Sequence, residues 1–165
     1  MPQPPLIVVM GVSGSGKSTI GERLAAGLRV PFVDADDLHP LTNVDKMSAG
    51  IPLTDEDRWP WLQKVGEAVA AASRTGIVVA CSALKRSYRE AIRAAAPDAL
   101  FVYLDGPRDL LARRLGHREG HFMPATLLDS QLEALEPLGE GERGIVISID
   151  HSPEAIVKTL LRELV

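Results

Sequence analysis

Near the start of the chain, Gly11-Val12-Ser13-Gly14-Ser15-Gly16-Lys17-Ser18 fits the pattern G-x-x-x-x-G-K-[ST] at every fixed position. The motif constrains the fold because it works in one setting: a strand that runs into a tight loop and then into a helix. Both flanks are legible. Leu6–Met10 is an unbroken apolar run, and past Lys17 the residues Ile20, Leu24 and Leu28 fall four apart, as on one face of a helix. Each position has a physical role. Glycines let backbone N–H groups turn inward around phosphate oxygens with no Cβ in the way. The helix N-terminus adds unsatisfied donors and the positive end of its dipole. Lys17 supplies a mobile cation for the β and γ oxygens, and the Ser18 hydroxyl is placed to ligate Mg²⁺. Gly11, Ser13, Gly14, Ser15, Gly16, Lys17, Ser18 and Thr19 are therefore the expected nucleotide contacts. The motif implies a nucleoside triphosphate but does not separate kinases from switches or motors.

Four further apolar runs follow: Pro31–Val33, Ile77–Cys81, Leu100–Leu104 and Ile145–Ile149. None alternates cleanly, so each is expected to be a strand covered on both faces. A last helix carries Ile156, Leu160 and Leu164 at helical spacing, with Ser152 able to cap it and Pro153 at its first position. Strand alternating with helix predicts an α/β fold with a mainly parallel sheet and right-handed crossovers. The 165 residues fit one domain, 1–165, with no repeat or linker to divide it. Two intervals are too long for simple crossovers. They predict a substrate-binding insert over about 35–75 and a lid over about 115–138.

A formal charge of −4 gives no electrostatic reason to expect nucleic acid or an anionic membrane as a partner. Any anion must then be met by a local positive site. The apolar stretch from Leu6 to Val12 has no basic residue before it and no small-residue cleavage site after it, and is too short to span a bilayer. Cys81 is the only cysteine, so no internal disulfide forms and a cytoplasmic location is expected. It reads as a small buried hydrophobe rather than a nucleophile. The chain also lacks the N-K-x-D sequence of a guanine-reading switch.

Magnesium in such sites needs a carboxylate in its outer shell. The run Ile77–Cys81 ends without one, and Asp105, followed by Gly106-Pro107, reads as a turn or helix-cap residue. The metal-side carboxylate is therefore expected from Asp34 or Asp36, where the second strand runs out beside the phosphate loop. Two acidic residues at that spacing point to the same side if the chain stays extended, though a solvated acidic loop has the same composition.

Further segments carry a resemblance. Phe32 to Pro40, Asn43, Lys46-Met47, Gly50, Pro52-Leu53 and Asp55 to Leu62 are similar to the bacterial gluconate kinase family. So are Cys81-Ser82-Ala83-Leu84-Lys85 with Tyr88-Arg89, and Gly120-His121-Phe122-Met123 with Ser130-Gln131. The likeness runs from Leu6 to about Pro137, and beyond Gly139 no motif of the family is found. It implies the fold of nucleoside-monophosphate and shikimate kinases, with a five-stranded parallel sheet in the order 2-3-1-4-5. It further implies ATP and Mg²⁺, D-gluconate as acceptor, 6-phosphogluconate as product, and a homodimer.

Under that resemblance the matched residues suit a small polyhydroxy acid. Asp36, His39 and Asn43 can exchange hydrogen bonds with hydroxyls, and Arg58 and Lys46 can meet a carboxylate. Lys85, His121 and Gln131 complete the expected acceptor set. Ser18 and Asp34 are the expected metal side, and Lys17, Asp36 and Arg118 the expected catalytic residues, Arg118 supplying charge to the transferring group. Arg113 or Arg114 can stack on adenine, with Arg114 taken for that place. The competing readings are a kinase of another small acceptor, such as shikimate or a nucleoside monophosphate, and a P-loop switch with no acceptor.

Overall fold

The structure is a computed structural model that describes residues 3–116 and 125–164. Strand β1 (Leu6–Met10) leads through the phosphate loop into α1 (Lys17–Leu28), then β2 (Phe32–Asp34). A 3₁₀ turn (Ala35–Leu38), α2 (Leu41–Ser48) and α3 (Asp55–Ala71) form the first long interval. Then come β3 (Ile77–Ala80), α4 (Arg86–Ala95), β4 (Leu100–Asp105), α5 (Arg108–Gly116), α6 (Ala125–Ala134), β5 (Gly144–Ser148) and α7 (Pro153–Leu164). The five strands lie in the order β2-β3-β1-β4-β5, all pairs parallel.

Two apolar layers cover the sheet. On one face Val8, Met10, Val79, Phe101 and Tyr103 pack with Leu62, Val65 and Val69 of α3 and Tyr88 and Ile92 of α4. On the other, Ile7, Val9, Val78, Val102 and Leu104 pack with Ile20 and Leu24 of α1, Leu111 of α5, Leu128 of α6, and Ile156 and Leu160 of α7. The helical spacing read in α1 and α7 thus reflects one shared apolar layer. The expected cap of α7 forms, with Ala155 N–H donating to Ser152 Oγ at 3.2 Å.

Strand limits shift slightly from the apolar runs. Phe32, Val33 and Asp34 pair with Val78, Val79 and Ala80, so β2 extends one residue into the acidic segment. Asp105 is the last residue of β4, and its carbonyl accepts from Ile149 N–H. One expectation fails: β5 is not covered on both faces. It is the edge strand beside β4, with Gly144, Val146 and Ser148 exposed on one face and Ile145 and Ile147 half-buried on the other.

Register aligns the ends that matter. Val9 lies opposite Ala80, and Asp34 opposite Ala80 on the far side, so the loops after β1, β2 and β3 leave one edge of the sheet together. That edge, where the strand order reverses, is where open parallel sheets bind ligands.

Candidate active site

The phosphate loop uses glycine at two positions whose positive φ would strain any other residue. Gly14 has φ +86°, and a Cβ there would lie 2.9 Å from Leu115 Cγ. Gly16 caps α1 in the left-handed region at φ +94°. Ser15 is fully buried and its Oγ has no hydrogen-bond partner among the described residues, an orphaned polar atom inside the cradle. Lys17 Nζ donates to Val12 O at 3.1 Å across the loop. Thr19, on the first turn of α1, is exposed.

At the end of β2, Ser18 Oγ donates to Asp34 Oδ2 at 3.3 Å, which joins the two residues expected on the metal side. Asp34 Oδ1 accepts from Asp36 N–H at 3.0 Å and so caps the 3₁₀ turn that carries Asp36. A hydroxyl and a carboxylate are hard oxygen donors that suit Mg²⁺, which takes few protein ligands and keeps water. Consistent with so sparse a site, the described residues contain no cluster of three or more His, Cys, Asp or Glu that could cage a metal. Asp36 keeps contact with solvent on one side. Protein crowding on its other side and the charge of Asp34 raise its pKa above the usual carboxylate value, against the opposing influence of His39 and Lys17. Cys81, buried at the end of β3, has its thiol pushed up to about 12 by burial, which rules it out as a nucleophile and fits the apolar role read for it.

The insert fixes the next residues. Trp61 of α3 is buried, donates from Nε1 to Ala35 O at 2.7 Å, and stacks on the His39 ring with centroids 4.1 Å apart. Buried Asn43 donates from Nδ2 to Asp57 O at 2.9 Å and bridges to His39 Nδ1 at 3.2 Å. An amide NH₂ only donates, so Nδ1 accepts and the neutral ring carries its proton on Nε2. Desolvation lowers the His39 pKa, with Arg58 acting the same way and Asp36 against it, which favours that neutral form. The ring thus sits between Asp36 and Arg58.

Arg58 donates from one guanidinium nitrogen to Tyr88 Oη at 3.3 Å and lies 3.5 Å from Asp55. Its guanidinium and the Lys85 ammonium both lie over the Tyr88 ring, 5.5 and 5.6 Å from the centroid. Tyr88 Oη in turn donates to Asp55 Oδ1 at 2.6 Å, which holds the Asp55 carboxyl below its usual pKa. Lys46 has an acidic partner within the insert. Its ammonium meets both oxygens of Asp57 at 2.9 and 2.8 Å, and Asp57 also closes the capping box of α3 with Thr54.

Gln131 of α6 lies against the phosphate loop. Ser13 N–H donates to Gln131 Oε1 at 2.7 Å, and Gln131 Nε2 donates back to Ser13 Oγ at 3.0 Å. Arg114 of α5 donates to Ile149 O at 2.7 Å, just past β5, while Arg113 is exposed and donates to Asp109 O of its own helix. Arg118 and His121 lie outside the described residues.

Lys17, Asp34, Asp36, His39, Arg58 and Lys85 therefore line one edge of the sheet. Sequence reasoning gave no role to Tyr88, Asp55 or Asp57, which orient the cations. The signal for Tyr88 was its place three residues after Lys85, one helical turn away.

A parallel sheet in this order, a phosphate loop heading α1 and a helical insert after β2 define the P-loop kinase fold. The family model for shikimate kinase matches residues 13–164. A solved shikimate kinase from Bacteroides thetaiotaomicron superimposes with a TM-score of 0.71 at 19% identity, over 99% of each chain, a likeness of fold alone. Far closer in sequence are a gluconokinase structure from Sinorhizobium meliloti 1021 and the thermosensitive gluconokinase of Escherichia coli K12. The first is 53% identical with a TM-score of 0.88, covering 98% of this chain and 91% of that one. The second is 49% identical over 87% of this chain and 79% of its own length. The chain belongs to the gluconokinase family, P-loop kinases related to shikimate kinase.

Proposed function

We propose that this chain transfers the γ-phosphoryl group of ATP to a hydroxyl of D-gluconate, giving 6-phospho-D-gluconate and ADP. The observation that carries this reading is the row from Lys17 through Asp36 and His39 to Arg58 and Lys85. A phosphate cation, a carboxylate, an imidazole able to bind hydroxyls and two cations beside one aromatic ring follow the ends of β1, β2 and β3 and the start of α3. A polyhydroxy acid has the matching order of groups. In the reaction the bond from the γ-phosphorus to the ADP oxygen breaks as a bond from the acceptor hydroxyl oxygen forms.

The loop N–H groups and Lys17 hold the triphosphate, and Lys17 stabilises the charge that builds on its oxygens. Asp36 orients the acceptor hydroxyl and takes its proton, which then passes to water. Its raised pKa makes it a better base than an ordinary carboxylate, although positioning outweighs base strength in so loose a transition state. His39 donates from Nε2 and Arg58 offers its guanidinium to the carboxylate, with Lys85 beside it. Ser18 and Asp34 would hold Mg²⁺, which when bound screens the β and γ oxygens. Arg114 on the adenine side, and Arg118 and His121 on the lid, keep the roles that the resemblance implies as part of this proposal. The homodimer is likewise a proposal, read from the native mass by light scattering. No helix among the described residues is long and apolar enough to cross a membrane, and the lone cysteine suits the cytoplasm.

Phosphorus NMR of a reaction of ATP, Mg²⁺ and gluconate tests the reading. It should show one new phosphomonoester resonance appearing with ADP, no signal change with chelator, and recovery on adding Mg²⁺. Inorganic phosphate in place of the ester would overturn it.

A further inference from the structure

Opposite the acceptor row lies a buried ion cluster that the reaction as described does not use. The Arg89 and Glu142 side chains are 0% and 1% exposed, and Arg89 Nε meets Glu142 Oε1 at 2.8 Å. A second guanidinium nitrogen reaches Glu142 Oε2 at 3.1 Å and Pro137 O at 3.4 Å. The third donates to Ala83 O at 2.9 Å and Leu84 O at 3.3 Å. Arg93 adds a contact to Glu142 at 2.8 Å, and Gly139 N–H another at 2.7 Å.

The backbone that Arg89 grips is strained. Ala83 sits in the left-handed region at φ +44°, one of two described non-glycine residues with positive φ. Such a conformation persists only where its surroundings over-determine it. The turn it forms leads straight to Lys85, and Gly11 N–H of the phosphate loop donates to Ser82 O at 3.3 Å. From the other side, Glu136 N–H donates to Leu84 O at 2.7 Å, and Arg86 N–H donates to the Glu136 carboxylate at 2.8 Å. The turn thus touches the nucleotide loop, the acceptor row and the chain that returns from α6.

We propose that Arg89, anchored by Glu142, is a positioning residue: it fixes the strained Ser82–Lys85 turn and so aims Lys85 at the acceptor and Ser82 at the phosphate loop. The inference rests on the reading of Lys85 as an acceptor contact. A guanidinium suits the task because one planar fork spans a carboxylate and three carbonyls at once, which an ammonium cannot. The strain at Ala83 supplies the tension that the fork resists: released, the residue returns to negative φ and Lys85 swings away.

The test uses Glu142→Gln and Arg89→Lys, each alone and combined with Ala83→Gly, at temperatures where all are folded by circular dichroism. The single variants should raise KM for gluconate and lower kcat, each by about tenfold, with KM for ATP within about twofold of wild type. Ala83→Gly should recover at least about threefold of that loss, since glycine holds positive φ without strain. Unchanged gluconate kinetics, equal movement of both KM values, or no recovery with glycine would each overturn the proposal. Amide exchange gives a readout independent of turnover. In Glu142→Gln, exchange at Gly11 and Glu136 should quicken by about tenfold or more beyond the change at Val8 and Val79, which reports the global loss of stability. An equal change at all four would overturn the positioning role even if wild type proved inactive on gluconate, whereas inactivity of wild type alone bears on the function and not on this turn.

Discussion

Asp36 carries a conflict between folding and chemistry that can be measured. Its pKa in the folded protein is raised, so the native state binds its proton more tightly than the unfolded chain does. Stability must then fall as pH rises through the ordinary carboxylate value toward the raised one, and the penalty is complete above it. Asp36→Asn removes the charge, so its melting temperature at neutral pH should exceed that of wild type, and the difference should vanish at acid pH. The same variant should lose about a hundredfold or more in kcat, because the hydroxyl loses its proton acceptor. If KM alone moved, Asp36 would be a binding residue. Lys17→Ala should leave the melting curve intact and abolish transfer; a folded variant with near-normal turnover would remove the loop from the mechanism. That two carboxylates stand where the second strand ends was legible in the sequence, because a short apolar run stops there. Their expected same-side arrangement was not met: the chain leaves extended geometry at Ala35 for a 3₁₀ turn capped by Asp34. The partners of Lys46 and Gln131 were not legible, since they lie 11 and 118 residues away and nothing local points to them.

At the scale of elements, what lies beyond Gly139 was the least legible part. Glu142 meets Arg89 from 53 residues away, and a glutamate in a glycine-flanked loop reads as solvated. Burial alone would raise its pKa, but Arg89, the Gly139 N–H and Arg93 outweigh that and hold it down to about 2, from an ordinary 4.5. A depressed carboxylate contributes stability that is full above its unfolded value and lost as pH falls toward the folded one. Acid unfolding of wild type should therefore steepen between about pH 4.5 and 2. Glu142→Gln should be less stable at neutral pH, by up to about 3–5 kcal/mol, because it leaves Arg89 buried without its counter-charge. Its loss across the acid window should be shallower, and an unchanged acid profile would assign the lability elsewhere. The capping box of α3 is a smaller device: Thr54→Ala should cost about 1 kcal/mol in denaturant unfolding. The edge strand β5 was misread for a simple reason. Its apolar run resembles the central ones, and only sheet order shows that it has a single neighbour.

For the molecule as a whole, the phosphate loop and the spacing of apolar runs sufficed for an α/β fold with a parallel sheet, while the strand order was legible only through the resemblance. The acceptor was legible only through the resemblance, since Arg58 alone looks like any helix arginine. Its place against Tyr88, Asp55 and Lys85 comes from α3 and α4 packing together. Arg58→Met should therefore lower kcat/KM for gluconate by about a hundredfold or more while leaving sorbitol and ATP little changed, because only the acid has a carboxylate to lose. Full retention of the preference for the acid would place the reader at Lys85 or elsewhere. The most direct test of the central claim is kcat/KM of the wild-type protein, with ATP and Mg²⁺ saturating, for gluconate, sorbitol, shikimate and AMP. Gluconate should exceed each of the others by about a hundredfold or more. Equal or better turnover of shikimate, or ADP release at the same rate with no acceptor present, would contradict the account.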